Sequence, residues 1–261
     1  MNSVRRGWLR MEPLLVVALF VLAWYLTPVF GLVSPKDLPS PLAIFASFVG
    51  DVTNPTLWIG FGFTIGAWIV GLLLVIVVAV PLGLALGLSR LMYALTAPTI
   101  EVVRTIPTVA ALPVLVFFFG TSVQLTFVLV VLAAVWPLLI QTMYGARDVD
   151  PVATETARVY GLGRVQWFTR VVVPTASPYM ATGLRLTAIV SLIIAVVTSL
   201  VVGGQGLGAL IASASQSAQV SLMYSRILFT GLVGLAVTLA LTGVENWILR
   251  WHPSRRTVVP S

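Results

Sequence analysis

Of 261 residues, 59% are hydrophobic and only 9% charged, against roughly 25% charged in a typical soluble domain, so a water-soluble globule is excluded: it would expose aggregating apolar patches. The 15 basic and 8 acidic residues give a net charge of +7, but the arginines punctuate apolar runs instead of striping a polar face, which points to membrane topology and away from nucleic acid. With no cysteine, the chain has no disulfide, zinc–thiolate or thiol chemistry.

A helix needs about 20 mostly apolar residues to cross the hydrocarbon core. Six runs fit, at 12–32, 59–88, 97–120, 123–144, 179–202 and 224–249. They predict an all-α polytopic membrane protein with six transmembrane helices: a tail at 1–11, a membrane domain at 12–250 and a basic tail at 251–261. Arg5, Arg6 and Arg10 followed by Leu14 to Trp24 have the charge pattern of a signal peptide. The apolar run continues through Phe30 with no small-x-small cleavage site, and further spans follow, so the expectation is an uncleaved first helix.

Residues 33–58 open with Pro35, Pro39 and Pro41, then carry Ile44, Phe45, Phe48 and Val49 at helical spacing. This predicts a short amphipathic helix at the outer interface. The second run holds Gly62-x3-Gly66 and Gly83-x3-Gly87, small-xxx-small pairs that permit close helix approach. The third run is the weakest. Glu101 and Arg104 stand one turn apart among Pro98, Pro107 and Pro113, and the apolar part after Thr108 is too short to span alone. The pair reads as snorkelling near the headgroups in preference to lining a solute pathway.

The connection 145–178 is polar and far longer than the 2–8 residues that usually join helices. Asp150-Pro151 is a helix start, an N-cap acid with proline at the first helical position. Val152 to Tyr160 suit a helix, and Gly161 and Gly163 a stop. A second stretch, Arg164 to Val173, bears Trp167 and Phe168 and ends at Pro174. Two short helices hinged at glycine are expected here, as a docking element for a cytoplasmic partner. In the fifth run Ser191, Thr198 and Ser199 are candidates to line a pathway, although such hydroxyls more often bond backbone carbonyls or neighbouring helices. Gly203-Gly204-Gln205-Gly206-Leu207-Gly208 opens a loop with a short helix. Glu245 reads as interfacial, and His252 as a solvated residue of the tail.

With the N-terminus inside, six spans return the C-terminus inside, and all basic residues except Lys36 and Arg226 then fall on the inner side. By the positive-inside rule this predicts a multi-pass protein of the cell (inner) membrane with both termini cytoplasmic.

Glu155-Thr156-Ala157, three residues, Gly161, nine residues, then Val171-Val172-Val173-Pro174 resembles the EAA loop of binding-protein-dependent ABC importer permeases, Glu-Ala-Ala-x3-Gly-x9-Ile-x-Leu-Pro. The spacing matches throughout, with Thr156, Val171 and Val173 as mild departures. Pro81-Leu82-Gly83-Leu84, Gly87-Leu88-Ser89-Arg90, Arg104-Thr105-Ile106-Pro107, Leu112-Pro113, Phe119-Gly120, Ser177-Pro178-Tyr179, Gly183-Leu184-Arg185 and Gly206-Leu207-Gly208 resemble the nitrate/sulfonate/taurine-type permeases. One departure is Thr198-Ser199-Leu200, where many members carry an acidic residue, so the substrate does not carry over with the likeness.

The resemblance implies a type I importer: two permease subunits, here two copies of this chain, around a central pathway. A separate cytoplasmic ATPase seats the EAA helices, and an external binding protein delivers a small polar solute such as nitrate, an alkanesulfonate, taurine or a vitamin precursor. It carries the coupling role to Glu155, Ala157 and Gly161, with Arg158, Trp167 and Pro174 beside them. Each has a rationale: Glu155 to meet a basic partner residue, Ala157 to allow close approach, Gly161 to hinge.

No cofactor is expected. A Walker A loop needs Gly-Lys-Ser/Thr, and the single lysine, Lys36, precedes Asp37, so ATP hydrolysis belongs to another subunit. An ion-driven secondary transporter or channel is the alternative, and it would want intramembrane ionisable groups or matched broken helices. A membrane enzyme finds no nucleophile–base constellation to support it.

Overall fold

In lipid every backbone N–H and C=O must be satisfied within the protein, and a helix does this within one segment. The computed structural model describes residues 2–248, with side chains over 15–247, and among these residues it holds helices and turns but no strand. In chain order they are α1 (Asn2–Val29), α2 (Pro41–Val52), α3 (Pro55–Leu88), α4 (Arg90–Val103), α5 (Leu112–Phe119), α6 (Val123–Arg147), α7 (Pro151–Val159), α8 (Arg164–Trp167), α9 (Val173–Val202), α10 (Leu207–Gln216) and α11 (Val220–Ile248). Four helical stretches, Pro55–Leu88, Val123–Arg147, Arg164–Gln216 and Val220–Trp247, are long and apolar enough to cross a membrane. The first expected span falls in α1, where Leu15–Val29 is a shorter apolar helix. His252 and the rest of the basic tail lie outside the described residues.

The third expected span is not one helix. α4 starts at Arg90, where the Ser89 hydroxyl caps it by accepting from the Met92 N–H at 3.2 Å. It stops at Val103, and after a 3₁₀ turn, Thr108–Ala111, the chain continues as α5 at a bend of 76°. Pro107 explains the break. It lacks an N–H and adopts an extended ψ of 107°, and it pushes the residue before it out of the helical region. α3 and α6 run parallel, Gly83 against Leu139 and Gly87 against Met143, so the bent α4–α5 pair carries the chain back across the bundle as a broken fifth span.

The second short helix of the connection does not end at Pro174, contrary to expectation. α8 runs through a single π-turn, Phe168–Val172, directly into α9, with the Val173 N–H donating to the Phe168 carbonyl five residues back. The wider turn accommodates the Pro174 ring, which would strike the carbonyl four residues back in a regular helix.

α6 is the central pillar, packed between α3 and α9, with Leu125, Leu129, Val130 and Leu138 fully buried. Gly83 and Gly87 bring α3 onto it: a methyl group at Gly87 would stand 2.5 Å from the Met143 carbonyl oxygen, and one at Gly83 2.8 Å from that of Leu139. That glycine pair packs as expected. The pair Gly62 and Gly66 does not, since it meets nothing within 4 Å and lines an open groove.

Pro137 removes one rung of the α6 ladder, and Thr187 of α9 repairs the neighbouring one. Its hydroxyl accepts from the Leu138 N–H at 3.2 Å and donates to the Ala134 carbonyl at 2.9 Å, inserted where those two groups would otherwise bond each other.

At the other end of the bundle from α7, three elements meet on a buried ion pair. Arg226 of α11 donates from Nε to Asp51 Oδ2 of α2 at 3.1 Å and from Nη1 to the Leu210 carbonyl of α10 at 2.8 Å. Both side chains are under 9% exposed. Arg226, counted above among the outer charges, is therefore a tie between helices. α2 packs by Ile44, and by Phe48 against Phe229 of α11, so this amphipathic helix lies on the bundle as well as at its edge.

Candidate functional site

The connection between α6 and α9 folds as two short helices, from local signals. The Asp150 side chain accepts from the Val152 N–H at 2.8 Å, and Pro151 occupies the first turn. The far end of α7 closes in a Schellman arrangement: the Leu162 N–H donates to the Ala157 carbonyl and the Gly161 N–H to that of Arg158. Gly161 sits at φ +70°, the left-handed conformation this closure requires. α8 is held to α7 by the Trp167 indole N–H, which donates to Thr154 Oγ1 at 3.3 Å.

The root of this hairpin is fixed. Tyr179 Oη of α9 donates to Asp148 Oδ2 at the end of α6, 2.8 Å away, and the Arg147 guanidinium lies 3.7 Å from the Tyr93 ring centre of α4. The tip is bare: Val159 is 86% and Tyr160 79% exposed, with Glu155 and Arg158 exposed beside them. Ala157 points inward, buried, and Trp167 and Pro174 are half-buried. Glu155, Arg158 and Gly161 thus share an open face, while Ala157, Trp167 and Pro174 build its support.

Two open grooves run along the bundle. One, of about 790 Å³ near the end that carries α10, is lined by Trp58, Phe63, Thr64, Thr126 and Gln205, with Thr198 and Ser199. Both hydroxyls donate to their own helix, Thr198 to the Ile194 carbonyl at 2.7 Å and Ser199 to that of Val196 at 3.0 Å. Ser191 is fully buried, bonds the Ala188 carbonyl at 3.0 Å, and does not reach the groove. The structure therefore brings two of the three pathway candidates to a groove, and all three hydroxyls bond backbone.

The second groove, about 470 Å³, lies nearer α7 and is lined by Arg104, Thr105, Trp136, Pro137, Gln141 and Leu186. Arg104 is ion-paired with Glu101, yet the two side chains remain 41% and 63% exposed.

Glu245, expected at the interface, is buried between helices: it is 7% exposed and pairs with Arg185 Nη1 at 3.2 Å, beside a cavity of about 260 Å³ between α3, α6, α9 and α11. Sequence reasoning missed this pair, as it missed Asp51–Arg226. The only signal for either was a charge inside an apolar run.

The profile of a family described as "binding-protein-dependent transport system inner membrane component" matches residues 79–257. The chain is 28% identical over 250 residues to a putative aliphatic sulfonates transport permease protein of Bacillus subtilis, covering 96% of this chain and 90% of that protein. It is also 28% identical over 247 residues to a nitrate import permease protein of Synechocystis, covering 91% and 89%. In fold it is similar to a chain of the methionine ABC transporter MetNI in an inward facing conformation, with a TM-score of 0.62 and 18% identity over 75% of this chain and 98% of that one.

Proposed function

The chain belongs to the binding-protein-dependent transport system inner membrane components, and from that premise we propose that its α7 hairpin is the seat of a separate ATPase. It is a membrane-spanning permease subunit of an ABC importer, and it folds as a type I importer permease. The observation that carries the proposal is the open tip of α7 on a fixed root. Val159 and Tyr160 are more than three-quarters exposed, and Glu155 and Arg158 flank them, none covered by any other described part of the chain. A bare apolar centre rimmed by charge is the anatomy of a protein interface.

In this reading the α7 end faces the cytoplasm, where ATP is, and both termini lie there. Glu155 meets a basic residue of the ATPase. Ala157 seats α7 on the hairpin, Gly161 sets its angle, and Arg158 and Trp167 support the contact. Because α8 and α9 form one continuous helical path through Pro174, movement of α7 is carried into α9, whose Thr198 and Ser199 line the far groove. Two copies of the chain enclose the pathway, and an external binding protein delivers the solute. The relatives named for sulfonates and nitrate favour a small polar anion.

The test is a detergent pull-down of the tagged protein from cells that make the whole system. A stoichiometric ABC ATPase should co-purify, and Glu155→Arg should remove it while the permease still inserts. A chain that purifies alone and moves solute in liposomes without ATP overturns the proposal in favour of a secondary carrier or channel.

A further inference from the structure

The two grooves lie one above the other on a single face of α6. Thr126, Ala133 and Ile140 are seven residues apart, a spacing that drifts only about 20° per step round a helix. Thr126 lines the groove near α10; Ala133 and Ile140 line the groove near α7. The first groove has no charged side chain in its lining, and the second has one, Arg104.

Depth distinguishes Arg104 from a headgroup anchor. Gln141 and Ala133 stand six and fourteen residues from the Arg147 end of α6, about 9 and 21 Å along its axis. The groove therefore lies within the apolar length of the bundle. A charge at that depth is costly unless it faces a polar partner or a water-filled space. Arg104 has one side-chain partner, Glu101, which bonds Nη2 and does not itself line the groove. The Arg104 side chain is 41% exposed at the break between α4 and α5, and Trp136 and Gln141, whose side chains carry neutral N–H donors, line the same groove.

Resting on the permease reading above, we propose that Arg104 is the anion-selecting residue of the solute pathway, offering its fork to a small oxyanion as it passes. Planar guanidinium donors match the paired oxygens of a nitrate, sulfonate or carboxylate. Glu101 has a part in this. A lone arginine in a low-dielectric groove would hold an anion too tightly for transport, and conduction needs a site that also releases. The paired carboxylate leaves a dipole with its positive end towards the groove, enough to select and too little to trap.

Because the chain has no cysteine, a single introduced thiol reports cleanly. In membranes from cells that make the whole importer, Gln141→Cys is reacted with two methanethiosulfonates, ethylsulfonate (anionic) and ethyltrimethylammonium (cationic). Their rate ratio is normalised to the same ratio for a free thiol. A preference of about threefold or more for the anionic reagent is expected. Arg104→Gln should abolish it, Arg104→Lys should keep most of it, and Glu101→Gln should raise it. An unchanged ratio in Arg104→Gln, or a thiol that reacts with neither reagent, overturns the proposal. The ratio is readable whether or not an ATPase co-purifies, so failure here is distinct from failure of the coupling assignment.

Discussion

Arg226 and Asp51 stand 175 positions apart, yet each is the other's charge partner inside the fold. Periodicity finds a helix face and spacing finds a cap, but neither tells which distant helix a buried charge will meet. The pairing is energetically asymmetric. Taking two ions out of water costs nearly what their attraction returns, but removing one partner strands the other, at about 3–5 kcal/mol. Arg226→Met should therefore destabilise the protein by about that amount in a detergent unfolding titration, since Asp51 loses its donor inside the fold. Adding Asp51→Leu to Arg226→Met should recover part of the loss, because the stranded carboxylate is gone while the Leu210 carbonyl keeps its bond within α10. A double variant no more stable than the single one would mean that the pair is not what holds α2 to α11.

The α7 hairpin was legible as an element because its signals are local. Asp150, Pro151 and Gly161 each act within a few residues of themselves, and each is found doing so, whereas Gly163, read with Gly161 as a stop, is the N-cap of α8. The path from α8 to α9 was not legible, because a π-turn leaves no mark in the sequence and Pro174 alone reads as a stop. The third span misled in the same way: Pro107 was visible, but its 76° consequence depends on what α5 packs against. Gly161 allows a test at this scale. At φ +70° a β-branched residue is strained by about 1–3 kcal/mol, whereas asparagine enters that region readily. Gly161→Val should abolish ATP-driven uptake and ATPase co-purification while membrane insertion stays normal, and Gly161→Asn should retain most of both. Equal uptake by the two variants would show that the angle of α7 does not matter for coupling.

For the whole molecule, the parallel packing of α3 on α6 fixes how the bent pair α4–α5 counts, and with it the side on which everything after it lies. Between Lys36 and Val165 the chain passes through α3, the bent pair and α6. The pair must cross, so there are three crossings and the two residues face opposite sides. The charge distribution says which side is which, since arginine crowds the α7 end and the positive-inside rule holds such ends in the cytoplasm. Both positions are exposed, Val165 at 75%, and the absence of native thiols makes single cysteines readable. A membrane-impermeant maleimide should label Lys36→Cys in intact cells and Val165→Cys only in inverted vesicles. Labelling of both from one side would contradict the parallel packing of α3 and α6, and would take Arg104 off the wall of a crossing segment. A reversed pattern would put α7 away from ATP, and no ATPase could then dock on Glu155.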